Sequence, residues 1–545
     1  MMSRHEYKDA ASCWQVILGN VNSGRDLLHH IERFARENIK PADISFGTSG
    51  WRGETGVDFT FHNLGVVTSA IVEMFKTAGV ETMKALGAEN FEEVKKRGVI
   101  VGHDNRFLGP DFAGEVMGIL SFEGIRVYYA GEATTPELSA AVDRLGAACS
   151  INLTPSHNPA NYSGFKFNPG DGGPAGREIT SVIEDNANIR MKSGAAPAPA
   201  PLGEFERINP MVLHEEFLRG RGTLDLDGIR EFVESTDCLI AIDHMHGATR
   251  GRPEHFIGGS SKLRLIRTED DFLFGGIAPE PSAANMSLLM EVLRGANAKF
   301  KLGALMDPDG DRIRFTDGVR DIPMNQFGAM ALHYLYHYKN IGGVLVKSVA
   351  TSNFGKAVAE GLGVSVYERP VGFKNFRSFM LPDAPERAIV AYEESDGISG
   401  YNNTLEKDAT FGLLLAIEMM AATGKNLSEY LSDLEKEFGA FYPQRAGLSV
   451  DKAATGPALA EKLATIQNNY NVGSGIQIGG STKTVKDVIT LDGTKIVFED
   501  GSWLLIRPSG TEPKVRFYIE TRSPQEQAAM VETAERLTRT ALAAG

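Results

Sequence analysis

Disulfides are the first thing this sequence cannot rely on. It has three cysteines in 545 residues, and Cys13, Cys149 and Cys238 stand in no metal-binding or redox spacing. An odd count cannot pair fully within the chain, which excludes a disulfide-held scaffold and fits a reducing, cytoplasmic setting. Long apolar runs are missing too. The longest, Phe411 to Ala422, is interrupted by Glu418 and falls short of the roughly 20 residues a bilayer span needs. The start, MMSRHEYKDAASCW, mixes charges of both signs and is no secretory signal, so no membrane association is expected. Positive charge is in deficit: 56 Lys plus Arg against 70 Asp plus Glu leave a net −14, which argues against a nucleic-acid coat or an anionic-membrane binder. An anionic ligand therefore has to find a local basic pocket. Glycine is in excess, 59 residues, or about 11% against roughly 7% on average, which predicts many close backbone turns.

Hydrophobic residues at 42% and charged residues at 23% describe a globular chain, and its length suggests three or four domains of roughly 150 residues. One pattern recurs: a short β-rich apolar run, a polar glycine-containing loop, then a helix-length amphipathic stretch. Val99 to Val101 leads into GHDNRFLG, Ser150 to Leu153 into TPSHNP, Leu239 to Ile242 into DHMHGATRG, and Leu302 to Met306 into DPDGDR. Val344 to Val346 leads into KSVATS and Ala388 to Ala391 into YEESDG. Strands buried on both faces and alternating with helices predict α/β layers with largely parallel sheets, whose ligand loops collect at the carboxyl ends of strands. The last hundred residues follow an α+β plan, with strands at Val485 to Leu491, Lys495 to Phe498, Trp503 to Ile506 and Lys514 to Glu520, then a helix from Pro524 to Ala543. GAAPAPAP, ending at Pro201, predicts an extended linker, and weaker breaks follow DIPMNQ and AFYPQRAGLSV. The resulting division is an N-terminal extension over 1–40 and domains over 41–205, 206–328, 329–445 and 446–545.

Four loops carry candidate chemistry. In Thr154-Pro155-Ser156-His157-Asn158-Pro159 two prolines stiffen the backbone and present Ser156 outward, as a nucleophile or phosphate carrier beside a histidine; an ordinary turn is the alternative. Lys166 follows in a glycine-rich stretch. Asp307-Pro308-Asp309-Gly310-Asp311-Arg312 places three carboxylates at alternate positions in a turn, suited to a hard divalent cation. An EF-hand fails on spacing, because Arg312 and Gly318 occupy the positions where that loop needs Gly and Glu; a solvated acidic turn stays open. Glu393-Glu394-Ser395-Asp396-Gly397, followed by Lys407, offers groups for vicinal sugar hydroxyls or, equally, a solvated turn. Arg507-Pro508-Ser509-Gly510-Thr511-Glu512-Pro513, with Lys514 and Arg516 beyond, reads as an anion nest of the kind that grips phosphate, or as a surface turn. Near the N-terminus FGTSGWRG can add Arg52 to an anionic site.

FGTSGWRG, TPSHNP, DPDGDR, EESDG and RPSGTEP, in this order, closely resemble the α-D-phosphohexomutase family of phosphoglucomutases and phosphomannomutases, from about residue 43 to the C-terminus. The resemblance implies four domains around a central cleft, three related mixed α/β sheet domains and a smaller C-terminal α+β domain. It implies that Ser156 carries phosphate and that Asp307, Asp309 and Asp311 hold one Mg²⁺ per chain together with an oxygen of that phosphoserine. Glu393 and Ser395 would read sugar hydroxyls, and Arg507, Ser509, Gly510, Thr511 and Arg516 would grip the non-reacting phosphate. His157, Lys166, Lys407, Arg52 and Arg312 would lie near the transferring group, with a lysine lowered in pKa by burial, or His157, as the base. The implied reaction interconverts glucose 1-phosphate and glucose 6-phosphate, with glucose 1,6-bisphosphate as intermediate and activator, in a monomer or homodimer whose partners are small hexose phosphates. The EES core favours glucose; Asp396 and Trp51 depart from common family patterns. A dual glucose/mannose mutase, a non-catalytic sugar-phosphate binder and an aspartyl phosphatase are the rival readings.

Overall fold

The computed structural model describes residues 7–47, 50–195, 202–259, 261–451, 456–509 and 514–543. They form two compact units. The first takes Met1–Ile322, Met380–Pro382 and Asp396–Ser428, and the second Pro323–Phe379, Asp383–Ser395 and Glu429–Gly545. No helix among the described residues is long and apolar enough to cross a membrane.

In the first unit a six-stranded sheet runs in the order Trp51–Glu54, Tyr162–Pro169, Cys149–Leu153, Val99–His103, Val127–Glu132, Glu206–Arg207. Its central strands are parallel, and its Tyr162–Pro169 and Trp51–Glu54 edge is antiparallel, so the sheet is mixed rather than largely parallel. Every residue of Val99–His103 and Cys149–Leu153 is buried, as in a sheet covered on both faces, and the polar Ser150 and Asn152 of the second strand share one of those faces. Helices Phe61–Thr77, Gly109–Phe122 and Arg177–Ser193 pack around a core that includes Phe59, Phe75, Phe112, Ile151 and Phe165, each such side chain contributing about 1.5–3 kcal/mol on burial. A second sheet, in the order Asp321–Ile322, Ile313–Thr316, Phe300–Met306, Cys238–Asp243, Leu263–Ile266, has the same mixed character.

The second unit holds a parallel set, Val366–Arg369, Val344–Ser348 and Ala388–Glu393, and a six-stranded antiparallel sheet that begins with Tyr442–Ser449 and Lys514–Thr521 and ends with Gly475–Ile478. The architecture is thus mixed α/β with several sheets and a C-terminal α+β portion. Several sequence boundaries fall inside elements. Glu206–Arg207 adds to the edge of the first sheet, residue 328 lies within helix Met324–His337, and residue 445 lies within strand Tyr442–Ser449. DIPMNQ passes from strand Asp321–Ile322 straight into helix Met324–His337, and YPQRAG, despite its proline and glycine, is itself strand. Residues 196–201 of the expected linker lie outside the described residues.

Candidate active site

Strand register sets the first layer of the site. Asn152 faces Lys166 on the antiparallel return strand, and Arg52 faces Gly164 on the next. Side chains alternate along strands, so Asn152, Gly164, Lys166 and Arg52 share one sheet face, while Trp51 turns the other way and stacks on Phe59. Gly164 has to be glycine: a Cβ there would lie 2.5 Å from the Thr154 carbonyl and 2.7 Å from Pro155 Cα. The serine loop lies directly over this bare backbone.

Ser156 is buried and holds φ +59, a left-handed conformation that costs a non-glycine residue about 1–2 kcal/mol. The loop is held there from below. Thr154 Oγ1 accepts the Ser156 N–H at 3.0 Å and donates to Asp104 at 2.7 Å. The Arg106 guanidinium donates to Asp104 and to the carbonyls of Ser156, Asn158, Pro159 and Tyr162. Neither Asp104 nor Arg106 was singled out in the sequence. Both sit in GHDNRFLG at the carboxyl end of a buried strand, a position that could have drawn attention to them.

The second layer is the hairpin turn between Phe300–Met306 and Ile313–Thr316. Asp307 Oδ1 caps the turn by accepting the Asp311 and Arg312 N–H groups at 3.1 and 3.0 Å, and Gly310 has φ +64 with Thr134 Cγ2 2.8 Å and Thr249 Cγ2 2.9 Å from where a Cβ would stand. The first sheet reaches across to it. The sequence Thr134-Thr135-Pro136-Glu137 forms a capping box at helix Thr135–Leu145, which fixes Thr135 so that its N–H donates to the Asp309 carbonyl at 2.8 Å and its hydroxyl to Asp309 Oδ2 at 2.7 Å. The two layers meet at Ser156 Oγ, which donates to Asp307 Oδ2 at 2.9 Å and lies 3.4 Å from His157 Nδ1.

Cations surround the three buried carboxylates. Lys166 Nζ lies 2.5 Å from Asp309 and 2.8 Å from Asp311, Lys407 3.2 Å from Asp311, and Arg312 Nε 3.7 Å from Asp311. Lys407 is set by its neighbour Asp408, whose carboxylate caps helix Ala409–Thr423 through the Phe411 N–H and accepts from buried His214 at 2.9 Å. Arg52 donates to Asn158 Oδ1 at 2.9 Å; burial, then Arg312, lowers its pKa to about 10. Burial and the carboxylates of Asp309 and Asp311 push Asp307 well above the usual carboxylate range. Burial opposes ionisation of Asp311 as well, but Lys166, Lys407 and Arg312 outweigh it and lower that group. Burial alone would lower Lys166; Asp309 and Asp311 more than offset it, and its pKa rises. The sequence expectation of a lysine lowered by burial and neighbouring cations is thus reversed for Lys166, because its nearest neighbours are anions.

A divalent cation suits this cluster. One ligand atom from each of Asp307, Asp309 and Asp311 lies within 4.8 Å of the others, and Asp309 Oδ1 and Asp311 Oδ1 are buried with no hydrogen-bond donor. Hard oxygens with orphaned lone pairs are what Mg²⁺ takes.

The remaining predicted residues lie in the second unit. Glu393 ends strand Ala388–Glu393, with Ser395 just beyond, and its Oε1 accepts the Gly372 N–H at 2.8 Å. Gly372 has φ +116, and the Pro370-Val371-Gly372 turn at a strand end, missed in the sequence, is what backs Glu393. Arg507 and Arg516 face one another across Trp503–Pro508 and Lys514–Thr521. Like charges directly opposed destabilise a sheet and suit an anion between them. Asp492 steadies Arg507 at 3.2 Å and accepts the Val371 N–H at 3.0 Å. Ser509 N–H donates to the Lys514 carbonyl at 2.8 Å, closing the base of the loop; Gly510 and Thr511 lie outside the described residues. Asp396 belongs to the first unit, where it pairs with Arg314 at 3.5 Å.

Residues 43–192, 323–438 and 450–537 match the family models of phosphoglucomutase/phosphomannomutase α/β/α domain I, α/β/α domain III and C-terminal domain. A solved structure from Thermus thermophilus, provisionally described as a phosphomannomutase, is 30% identical with a TM-score of 0.72, covering 92% of this chain and all of its own. Phosphoglucomutase 1 of Drosophila melanogaster is 29% identical over 78% of this chain and 83% of its own. The phosphoglucomutase of Staphylococcus haemolyticus is 26% identical over 88% and 90%.

Proposed function

The chain belongs to the phosphoglucomutase/phosphomannomutase family, the α-D-phosphohexomutases, and functions as a phosphohexomutase; on that premise we propose that it interconverts glucose 1-phosphate and glucose 6-phosphate through a phosphoserine at Ser156. One observation carries the reading: Ser156 Oγ, on a left-handed backbone, donates to Asp307 within a three-carboxylate, multi-cation cluster. An idle serine would not be held in strained backbone at a metal-type site.

In the forward direction the phosphorus–oxygen bond to Ser156 breaks as a bond to the free sugar hydroxyl forms. The sugar proton passes to a base, and a proton returns to Ser156 Oγ. We assign this proton traffic to His157, at 3.4 Å from the serine oxygen, because Lys166 is held as a cation by Asp309 and Asp311. Glucose 1,6-bisphosphate then turns and returns its other phosphoryl group to Ser156. Mg²⁺ on Asp307, Asp309 and Asp311 would neutralise charge on the phosphoryl oxygens. Arg52, Arg312, Lys166 and Lys407 add cationic charge in a site withdrawn from water. Glu393 and Ser395 read sugar hydroxyls, and Arg507, Ser509, Gly510, Thr511 and Arg516 hold the phosphate that does not react.

Dual specificity for glucose and mannose phosphates is the second reading, favoured by the Thermus thermophilus likeness and by a Thermococcus kodakarensis phosphoglucomutase/phosphomannomutase 26% identical over 82% of this chain. Coupled assays on glucose 1-phosphate and mannose 1-phosphate, with intact-mass detection of phosphorylated Ser156, test both. Turnover of mannose 1-phosphate alone, or an unmodified serine during turnover, rejects the glucose phosphoserine proposal.

A further inference from the structure

The segment before the family-matched region is ordered and docked. Helix Ala10–Gly19 starts on a capping box between Asp9 and Ser12, and helix Leu28–Glu37 buries Leu28, Ile31 and Ala35 along one face. Together they enclose Trp14, which is 1% exposed. The cluster around it takes residues from three sources: Ala10, Cys13, Ile17, Leu28 and Ile31 from the segment, Ala160 from the tail of the serine loop, and Leu273 and Phe274 from the second sheet's domain.

Each contact leads to the reacting groups. Trp14 Nε1 donates to the Thr55 carbonyl at 2.8 Å, immediately after the strand that carries Arg52. Thr55 Oγ1 in turn bonds Ser163 Oγ at 2.8 Å on the Lys166 strand. Asn38 Nδ2 donates to the Gly56 and Val57 carbonyls at 3.1 and 2.9 Å, and Gly56, at φ +82, has Ala10 Cβ 3.0 Å from where its own Cβ would be. On the other side Arg25 pairs with Asp271 at 2.6 Å, and Asp271 gathers the Leu273 and Gly275 N–H groups at 3.0 and 2.9 Å. That turn holds Phe274 at φ +53 with its ring 4.8 Å beneath the Arg106 guanidinium, the group that holds the serine loop.

We propose that residues 7–40 are a helical staple fixing the Arg52 turn and the serine loop against the Asp271–Gly276 loop, with Trp14 and Arg25 as its positioning residues. The proposal rests on Ser156 being the phosphate carrier. The segment touches no reacting atom; it acts by holding the serine loop and the metal loop, which come from different sheets, at one separation. Reacting groups misplaced by about 1 Å lose up to about a hundredfold in rate, so a partial loosening shows in the chemical step before it shows in substrate affinity.

The test uses the full chain with Trp14→Phe, which keeps the ring and removes the N–H, and Arg25→Gln and Arg25→Lys at the half-exposed end of the staple. Trp14→Phe and Arg25→Gln are expected to slow single-turnover phosphoryl transfer from glucose 1,6-bisphosphate to Ser156, and kcat, about tenfold, with KM within about twofold. Arg25→Lys restores most of the rate. In Arg25→Gln the Leu273 and Gly275 amides exchange hydrogen roughly tenfold faster. Native transfer rates in both weakened variants, or a lowered melting temperature as their only defect, overturn the proposal. A native chain without mutase turnover refutes the substrate reading instead, and the exchange rates at Leu273 and Gly275 then decide whether the staple holds that loop.

Discussion

Replacing Arg106 with lysine puts the serine loop under the most direct strain the structure offers. Every N–H of the native guanidinium is engaged: Nε with Asp104, Nη1 with the carbonyls of Pro159 and Tyr162, Nη2 with those of Ser156 and Asn158. Five acceptors converge on five donors, in a side chain 3% exposed. Lysine keeps the charge that Asp104 needs, so the about 3–5 kcal/mol cost of an unpaired buried charge is avoided. It brings three donors, which leaves two acceptors unsatisfied at about 1–3 kcal/mol each, or about 2–6 kcal/mol in all. The loop escapes by letting go, because Ser156 relaxes from its left-handed backbone once its carbonyl is released. The expected result is a folded Arg106→Lys enzyme with kcat lowered about a hundredfold and KM changed less than about threefold, read in the coupled assay. Intact mass should show less phosphorylated Ser156. A kcat within about threefold of native would refute the reasoning. Arg106→Met, which also strips Asp104 of its partner, is expected to melt below the lysine variant.

Ser156→Ala is expected to abolish turnover and the phosphorylated mass species while leaving the melting temperature near native; residual turnover at the native rate would end the phosphoserine reading. Asp309→Asn removes the carboxylate shared by Lys166 and Thr135 and should raise the Mg²⁺ concentration for half-maximal rate by about 10–100-fold, checked by titrating the rate and by calorimetry. His214 supplies a pH prediction. Burial alone would lower its pKa, but Asp408 more than offsets this and the folded-state value is raised. A raised histidine binds its proton more tightly when folded, so its stabilisation is fully present below the unfolded value near roughly 6.5 and is lost as pH rises through the folded value. Melting temperatures measured across that window should fall with pH in the native chain and less steeply in His214→Gln; identical slopes would count against the pair.

Strands buried on both faces were legible where their apolar residues run on without alternation, as in Val99–Val101 and Leu302–Met306, the pattern a covered sheet needs. Tyr442–Ser449 was not. It is an edge strand, intermediate or exposed along its length, containing Pro443 and Gly447, and its pairing with Lys514–Thr521 is made some seventy residues away. The candidate loops stood out because their chemistry is local: alternate aspartates in one turn, a serine between prolines. What holds those loops could not. Arg106 looks like any loop arginine until the chain returns fifty residues later to point four carbonyls at it. Trp14 is an apolar residue on an amphipathic helix, and nothing local says that its N–H meets Thr55. Gly310 carries no local signal either; its left-handed backbone, wedged between Thr134 and Thr249, is what lets the Asp307–Asp311 turn close.

If Ser156 is the phosphate carrier, as proposed, the charge count at the centre gives a reason for a phosphoryl group and a divalent cation to bind there together. Lys166, Lys407, Arg312 and Arg52 face Asp307, Asp309 and Asp311, and Glu406 lies 3.1 Å from Lys407, four cations against four carboxylates in an interior where unbalanced charge is costly. Burial, then the neighbouring carboxylates of Asp309 and Asp311, pushes the Asp307 pKa well above the usual carboxylate range, so the cluster is short of positive charge at its middle even though the whole is balanced. A cation between the three aspartates relieves that shortage but leaves the surrounding lysines and arginines over-supplied. A phosphoryl group on Ser156, between the aspartates and those cations, removes the excess while adding oxygens on the side of the turn that the protein leaves without donors. Each addition therefore strengthens the other, and by reciprocity the gain in cation affinity on phosphorylation equals the gain in phosphoserine stability on cation binding. On the phosphoserine proposal, this coupling favours a resting form with the serine loaded before any sugar arrives.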